Sequence, residues 1–195
     1  MRPVRTKKSL IVFRHGETNW NKKGIIQGRS NIPLNQTGIQ QSYELAHNLK
    51  AKNYPLDVII TSPLSRAKQT AEIVQQIFNV PLYYDERLVE CNCGIFEGQP
   101  KDVEFFSKWE NPKYPYLRPE NGESNINIFN RAISGLEDFI KKNPDFNCIG
   151  VSTHRGVIRR LINFLRDKPS DEHIPNTFYF QMFYDTKEKR FELIN

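Results

Sequence analysis

Apolar and polar positions along the chain alternate between two patterns. SLIVF (9–13) is an unbroken apolar run too short for a helix, and DVIIT (57–61) and NCIGVST (147–153) repeat the type. Three buried strands are expected there. Between them the period lengthens. In SPLSRAKQTAEIVQQIF (62–78), Leu64, Ala67, Ala71, Val74 and Phe78 share one helical face, with Ser62 placed to cap the helix and Pro63 at its first position. TGIQQSYELAHNLKAK (37–52) reads as a helix capped by Thr37. Ser124 opens another, which runs to about Lys142 and buries Phe129, Ile133, Leu136 and Ile140; a fourth covers about 156–165. PLYYD (81–85) is a weaker strand. Residues 110–123, rich in Pro, Asn and Gly, read as loop. TFYFQMFYD and RFELI flank a turn at 185–189 and predict an antiparallel hairpin.

Strands alternating with helices imply an α/β protein: a three-layer sandwich with a mostly parallel central sheet flanked by helices. The 195 residues carry no internal repeat, low-complexity tract or linker, so a single domain over 1–195 is expected. A chain of that length buries roughly 70% of its unfolded surface, enough for a sizeable core.

Charge and cysteines narrow the setting. The formal net charge is +6 and the pI about 9.2. That balance suits a site for small anions, a nucleic-acid surface, or merely a basic solvated face. The densest basic cluster, RPVRTKK at the N-terminus, is short, and no nucleic-acid partner is expected. Cys91, Cys93 and Cys148 make an odd set with CNC spacing, which is no disulfide framework and fits a reducing, cytoplasmic compartment. The apolar stretch LIVF is too short for a signal-peptide core or a bilayer span, so no membrane partner is expected. Pairing into a homodimer stays open.

Open α/β sheets bind ligands beyond the carboxyl ends of their strands. After the first strand come Arg14, His15 and Gly16; after the second, Ser62 and, one turn on, Arg66; after NCIGVST, His154. Any one of these has an ordinary explanation: a satisfied polar residue, a surface arginine, a cap. Together they gather two histidines and two arginines at one edge of the sheet.

Those residues also lie in recognisable blocks. RHGETNWN (14–21), IIQG (25–28), TSPLSRAKQTAEIV (61–74), DERLVE with GIFEG (85–98), ENGES (120–124) and VSTHRGVIRRL (151–161) together resemble the histidine phosphatase superfamily, which holds cofactor-dependent phosphoglycerate mutases and related phosphatases. The resemblance implies a phosphoglycerate mutase-like fold and His15 as nucleophile. It also implies Asn21 and the Gln27–Gly28 pair as phosphate contacts, with Ser62 either a further contact or a helix cap.

The chemistry agrees. A phosphoryl group in transfer spreads charge over three oxygens, so catalysis is mostly positioning and electrostatics. The planar forks of Arg14 and Arg66 suit those oxygens. A neutral imidazole at His15 is a competent nucleophile, its other nitrogen fixed by a backbone carbonyl and its protonation disfavoured by the arginines. Gly16 lets the backbone turn towards the phosphate. Glu90 is the candidate acid for the leaving oxygen and then base for water, and His154 holds a phosphate oxygen. No metal and no cofactor is implied, because the acidic residues are scattered and CNC alone is too small for zinc.

Two features depart from mutases of the family. Cys91 follows Glu90 where those usually have arginine, and the stretch before ENGES is short and aromatic. Both favour the phosphatase branch, with a small phosphorylated metabolite as substrate; a mutase and a non-catalytic phospho-ligand binder are the alternatives. Arg155 directly follows His154, and it either reaches the pocket or faces solvent. Residues 101–118 form a substrate lid or a local aromatic core.

Overall fold

The computed structural model describes residues 6–101, 103–170 and 172–193, with the side chain of residue 103 left aside. Residues 2–5 of the basic cluster and Ile194 of the expected hairpin lie outside the described residues. One six-stranded sheet organises the chain: β1 (Lys7–Arg14), β2 (Val58–Thr61), β3 (Leu82–Tyr84), β4 (Cys148–Thr153), β5 (Tyr179–Asp185) and β6 (Arg190–Leu193), in spatial order β3-β2-β4-β1-β5-β6. The four strands from β3 to β1 are parallel, and the β5–β6 hairpin continues the sheet antiparallel to β1.

Period-2 alternation sorts β1 into two faces. Ile11 and Phe13 pack with α2 (Gln36–Ala51) and α3 (Ser65–Phe78) through Leu45, Leu49, Ala71 and Val74. Leu10 and Val12 face the other layer, which contains α4 (Val103–Trp109), α5 (Asn125–Lys142) and α6 (Arg155–Arg166). The three layers are those the apolar pattern predicts. A four-residue helix, α1 (Asn19–Lys22), follows β1 and has no apolar period by which it could be foreseen.

The structure corrects two caps. α2 is capped by Asn35, whose side chain accepts from Gly38 N, rather than by Thr37. α3 begins at Ser65 with no side-chain cap; Ser62 and Pro63 precede it. Ser124 does cap α5, but the buried face is Ile128, Ala132, Leu136, Phe139 and Ile140, with Phe129 and Ile133 half-buried beside it. The hairpin starts at Tyr179 rather than Thr177, which has φ of +58°.

Register decides what happens at the carboxyl edge. Arg14 pairs with Thr153, and Thr61 with Ser152. The next residues, His15 and His154, therefore leave neighbouring parallel strands at the same level. Strands lie about 4.8 Å apart, and the two imidazole centroids are 5.2 Å apart.

Candidate active site

His15 is clamped on every side of its backbone. Its N–H donates to Thr153 O at 3.1 Å, and its carbonyl accepts from Thr177 N and from Asn176 Nδ2. Its Nδ1 lies 2.7 Å from Gly16 O. A carbonyl only accepts, so Nδ1 carries the proton and Nε2 keeps its lone pair. Only 2% of the residue is exposed. Burial first, then the Arg66 and Arg14 charges, hold its pKa well below 6.5, outweighing the Gly16 hydrogen bond.

Gly16 serves packing rather than a turn towards phosphate. A Cβ there would come within 2.3 Å of Gly38 O, so the glycine lets α2 approach the strand end. Its N–H donates to Thr70 Oγ1 on α3.

His154 is wholly buried, and its Nε2 lies 2.8 Å from Ser62 Oγ. Ser62 Oγ also accepts from Leu64 N. Ser62 thus orients His154 and stays off the cavity wall. The His154 pKa is held well below 6.5 by burial, then by Arg66 and His15.

The buried neutral histidines make stability pH-dependent. Their folded pKa values lie below the unfolded value of about 6.5, so as pH falls through 6.5 the unfolded chain binds protons that the folded one refuses. Stability is full above pH 6.5 and declines below it, by at most ~1.4 kcal/mol per pH unit for each histidine. Urea denaturation between pH 7.5 and 5 should show that decline, with a shallower slope in His154→Gln; a flat profile would contradict the assignment of His15 and His154 as buried and neutral.

A cavity of about 230 Å³ opens in front of His15, and its walls include Arg14, Asn21, Gln27, Gly28 and Glu90. Arg14 Nη1 is anchored to Ile174 O, its Nε has no partner, and burial lowers its pKa to about 10, so it stays charged at neutral pH. Asn21 Oδ1 is held by Thr18 and Asn176, and Gln27 Oε1 by Thr18 Oγ1, which leaves both side-chain NH2 groups for the cavity. Gly28 has φ of +49°, and a Cβ there would strike the Glu97 carboxylate.

Arg66 is placed differently from the expected direct fork. Its Nη atoms donate to the carbonyls of Ser30 and Gly28 at 2.8 Å, so it ties down the loop behind the cavity wall. It remains a fully buried positive charge close enough to depress both histidines.

Glu90 accepts from Cys91 N at 2.8 Å and Gly156 N at 3.2 Å. Gly156 needs to be glycine, since a Cβ would lie 2.4 Å from both Glu90 Oε1 and Cys91 Sγ. Cys91 and Cys93 also line the cavity, but burial pushes both thiol pKa values up and holds them protonated.

Arg155 turns inward: it lines the cavity, with Nη1 2.5 Å and Nη2 3.1 Å from the two Glu110 oxygens. Residues 105–109 form much of the aromatic floor through Phe106 and Trp109, buried against the core. Lys101, Glu110 and Arg160 are site residues that strand-end reasoning misses. For Arg160 a signal existed: it lies one helical turn after Gly156, between Val157 and Leu161 on a buried face. Among the described residues, no three His, Cys, Asp or Glu side chains gather as a metal site, and no helix is long and apolar enough to cross a membrane.

A mostly parallel sheet thus brings a neutral buried histidine, a second histidine, an arginine and a carboxylate together at its carboxyl edge. The chain belongs to the histidine phosphatase superfamily (branch 1), whose sequence profile matches residues 10–195. It is 32% identical over 154 residues to the uncharacterised phosphatase PhoE of Bacillus subtilis, covering 79% of this chain and 75% of that one. It is also 32% identical to a metal-independent phosphoserine phosphatase of Arabidopsis thaliana, covering 78% of this chain and 66% of the relative. Phosphoserine phosphatase of Entamoeba histolytica, solved with 3-phosphoglyceric acid, superposes with a TM-score of 0.76 at 26% identity, over 96% of this chain and 95% of that one.

Proposed function

We propose that the protein hydrolyses small phosphomonoesters through a phosphohistidine on His15. The observation that carries this reading is the His15 Nδ1–Gly16 O hydrogen bond, which aims a neutral Nε2 lone pair into the cavity shared with Glu90 and Arg14. In the first step Nε2 bonds to phosphorus as the ester P–O bond breaks. Glu90 gives a proton to the leaving oxygen. In the second step Glu90, now a carboxylate, takes a proton from water. The oxygen of that water bonds to phosphorus, the P–N bond breaks, and phosphate leaves.

Each remaining group has a part. Arg14 and the amides of Asn21 and Gln27 hold the equatorial oxygens, and the Gly28 carbonyl anchors Arg66. Ser62 Oγ accepts from Leu64 N and gives its own hydrogen to His154 Nε2, so that the proton of His154 resides on Nδ1. That Nδ1–H, which has no partner in the protein, donates to a phosphate oxygen. The names of the relatives, phosphatases with one called metal-independent, support a metal-free hydrolase. Buried free thiols at Cys91 and Cys93 suit a reducing, cytoplasmic setting.

The test is phosphate release from a panel of small phosphomonoesters in EDTA. Hydrolysis undiminished by the chelator is expected. Activity that needs added divalent metal, or transfer of the phosphoryl group to a second phospho-acid instead of water, would contradict the reading.

A further inference from the structure

Six buried side-chain N–H positions among the described residues lack a protein acceptor: Arg14 Nε, Arg66 Nε, His154 Nδ1, Trp109 Nε1, Arg159 Nε and Arg160 Nη2. Buried donors are nearly always paired, so each calls for an explanation. Arg14 and His154 adjoin His15 and are accounted for by the phosphate; Arg66 Nε belongs to the guanidinium that ties down the loop behind the wall, and Arg159 Nε lies 3.8 Å from Glu110 Oε2. Trp109 and Arg160 do not belong to that set. Both are 1% exposed and both line the same cavity as His15.

Their placement is built, not incidental. The Arg160 guanidinium carbon lies 4.5 Å over the Trp109 ring, and its Nε donates to Asn125 Oδ1 at 2.9 Å. Asn125 in turn donates to the Trp109 carbonyl. The two donors are fixed relative to one another. Lys101 and Arg155 line the same cavity, and Glu110 holds Arg155 in place by a two-point contact. Cations outnumber carboxylates here, and Glu110 is already engaged, so positive charge is left over.

We infer that Trp109, Arg155 and Arg160, with Lys101, form a second anion subsite that reads a carboxylate or second phosphoryl group on the substrate. The inference rests on the hydrolase reading and deepens it. A cavity of about 230 Å³ is below the roughly 300–1,000 Å³ of drug-sized pockets. Substrates with the second acidic group a few bonds from the ester suit that space. Glu110 is a positioning residue for Arg155.

Two matched substrate pairs test this. One is 3-phosphoglycerate against glycerol 3-phosphate; the other is propane-1,3-diol bisphosphate against propyl phosphate. The doubly acidic member of at least one pair should be preferred by ~30-fold or more in kcat/KM, as charge-assisted hydrogen bonds imply, and the pair with the larger ratio identifies the group. Arg155→Gln, at a side chain 30% exposed, should bring the ratio to within about 5-fold of unity. Trp109→Phe, which keeps the ring under Arg160 and removes the N–H, should lower it as well. Equal kcat/KM within both wild-type pairs, or a preference that survives Arg155→Gln, would overturn the subsite and leave the hydrolase standing. No hydrolysis of any of the four would remove the hydrolase and the subsite together.

Discussion

Replacing His15 by alanine is expected to lower phosphate release by at least ~10⁴-fold, the scale on which loss of a nucleophile is felt when the rest of the machinery remains. The substitution removes the Nε2 lone pair that the Gly16 contact aims into the cavity, while Arg14, Gln27 and Asn21 still line it. Substrate binding should therefore survive in part, and direct attack by water should give the residual rate. The fold should survive as well. His15 is tied into the sheet edge chiefly by its backbone, through Thr153, Thr177 and Asn176, and those bonds do not involve the imidazole. Steady-state kinetics alongside near-ultraviolet circular dichroism check both points. A folded His15→Ala protein of near wild-type activity would contradict the mechanism.

Glu90→Gln should cost about 10²–10⁴-fold on alkyl phosphates, the usual worth of a positioned acid or base. Glutamine keeps the shape, and its carbonyl oxygen can still accept from Cys91 N or Gly156 N. What it loses is the proton to give and the charge with which to take one. The loss divides between the steps according to the leaving group. An alkoxide needs the proton, so with alkyl esters the first step slows. A nitrophenolate leaves without it, so with 4-nitrophenyl phosphate the first step runs and the second, which needs a base for water, stalls. A burst of nitrophenolate followed by slow turnover is the expected trace. Equal losses on both substrate types, with no burst, would mean that Glu90 only shapes the cavity.

The fold was legible because its strands are unbroken apolar runs and its long helices keep a clear period, as in β1 and α3. The departures from the apolar pattern are local. Asn35 rather than Thr37 caps α2, since capping is decided by which side chain the turn brings within reach of Gly38 N. Ser62 looked like a cap but is drawn to His154, a contact across 92 residues. The heart of the site was legible for a geometric reason: residues following parallel strands in register must be neighbours, and His15 and His154 are. The rest of it was not. Trp109, Glu110, Arg155 and Arg160 meet where the end of α4 reaches α6, through Arg160 over Trp109 and Arg155 and Asn163 on Glu110, and nothing in the local pattern of either helix announces the other. The inward turn of Arg155 depends on Glu110, 45 residues away. Arg66 shows the converse: expected to fork an anion directly, it donates to the Ser30 and Gly28 carbonyls, and its charge acts from behind the wall.

The central claim is a transient P–N bond at position 15. The direct measurement is to trap the phosphorylated Glu90→Gln protein after a single exposure to substrate, then follow the lability of the adduct and locate it by peptide mapping. The adduct should be lost in acid, persist in base, and map to the peptide containing His15. A phosphoryl group that survives acid, or that maps to a serine such as Ser62, would contradict the account.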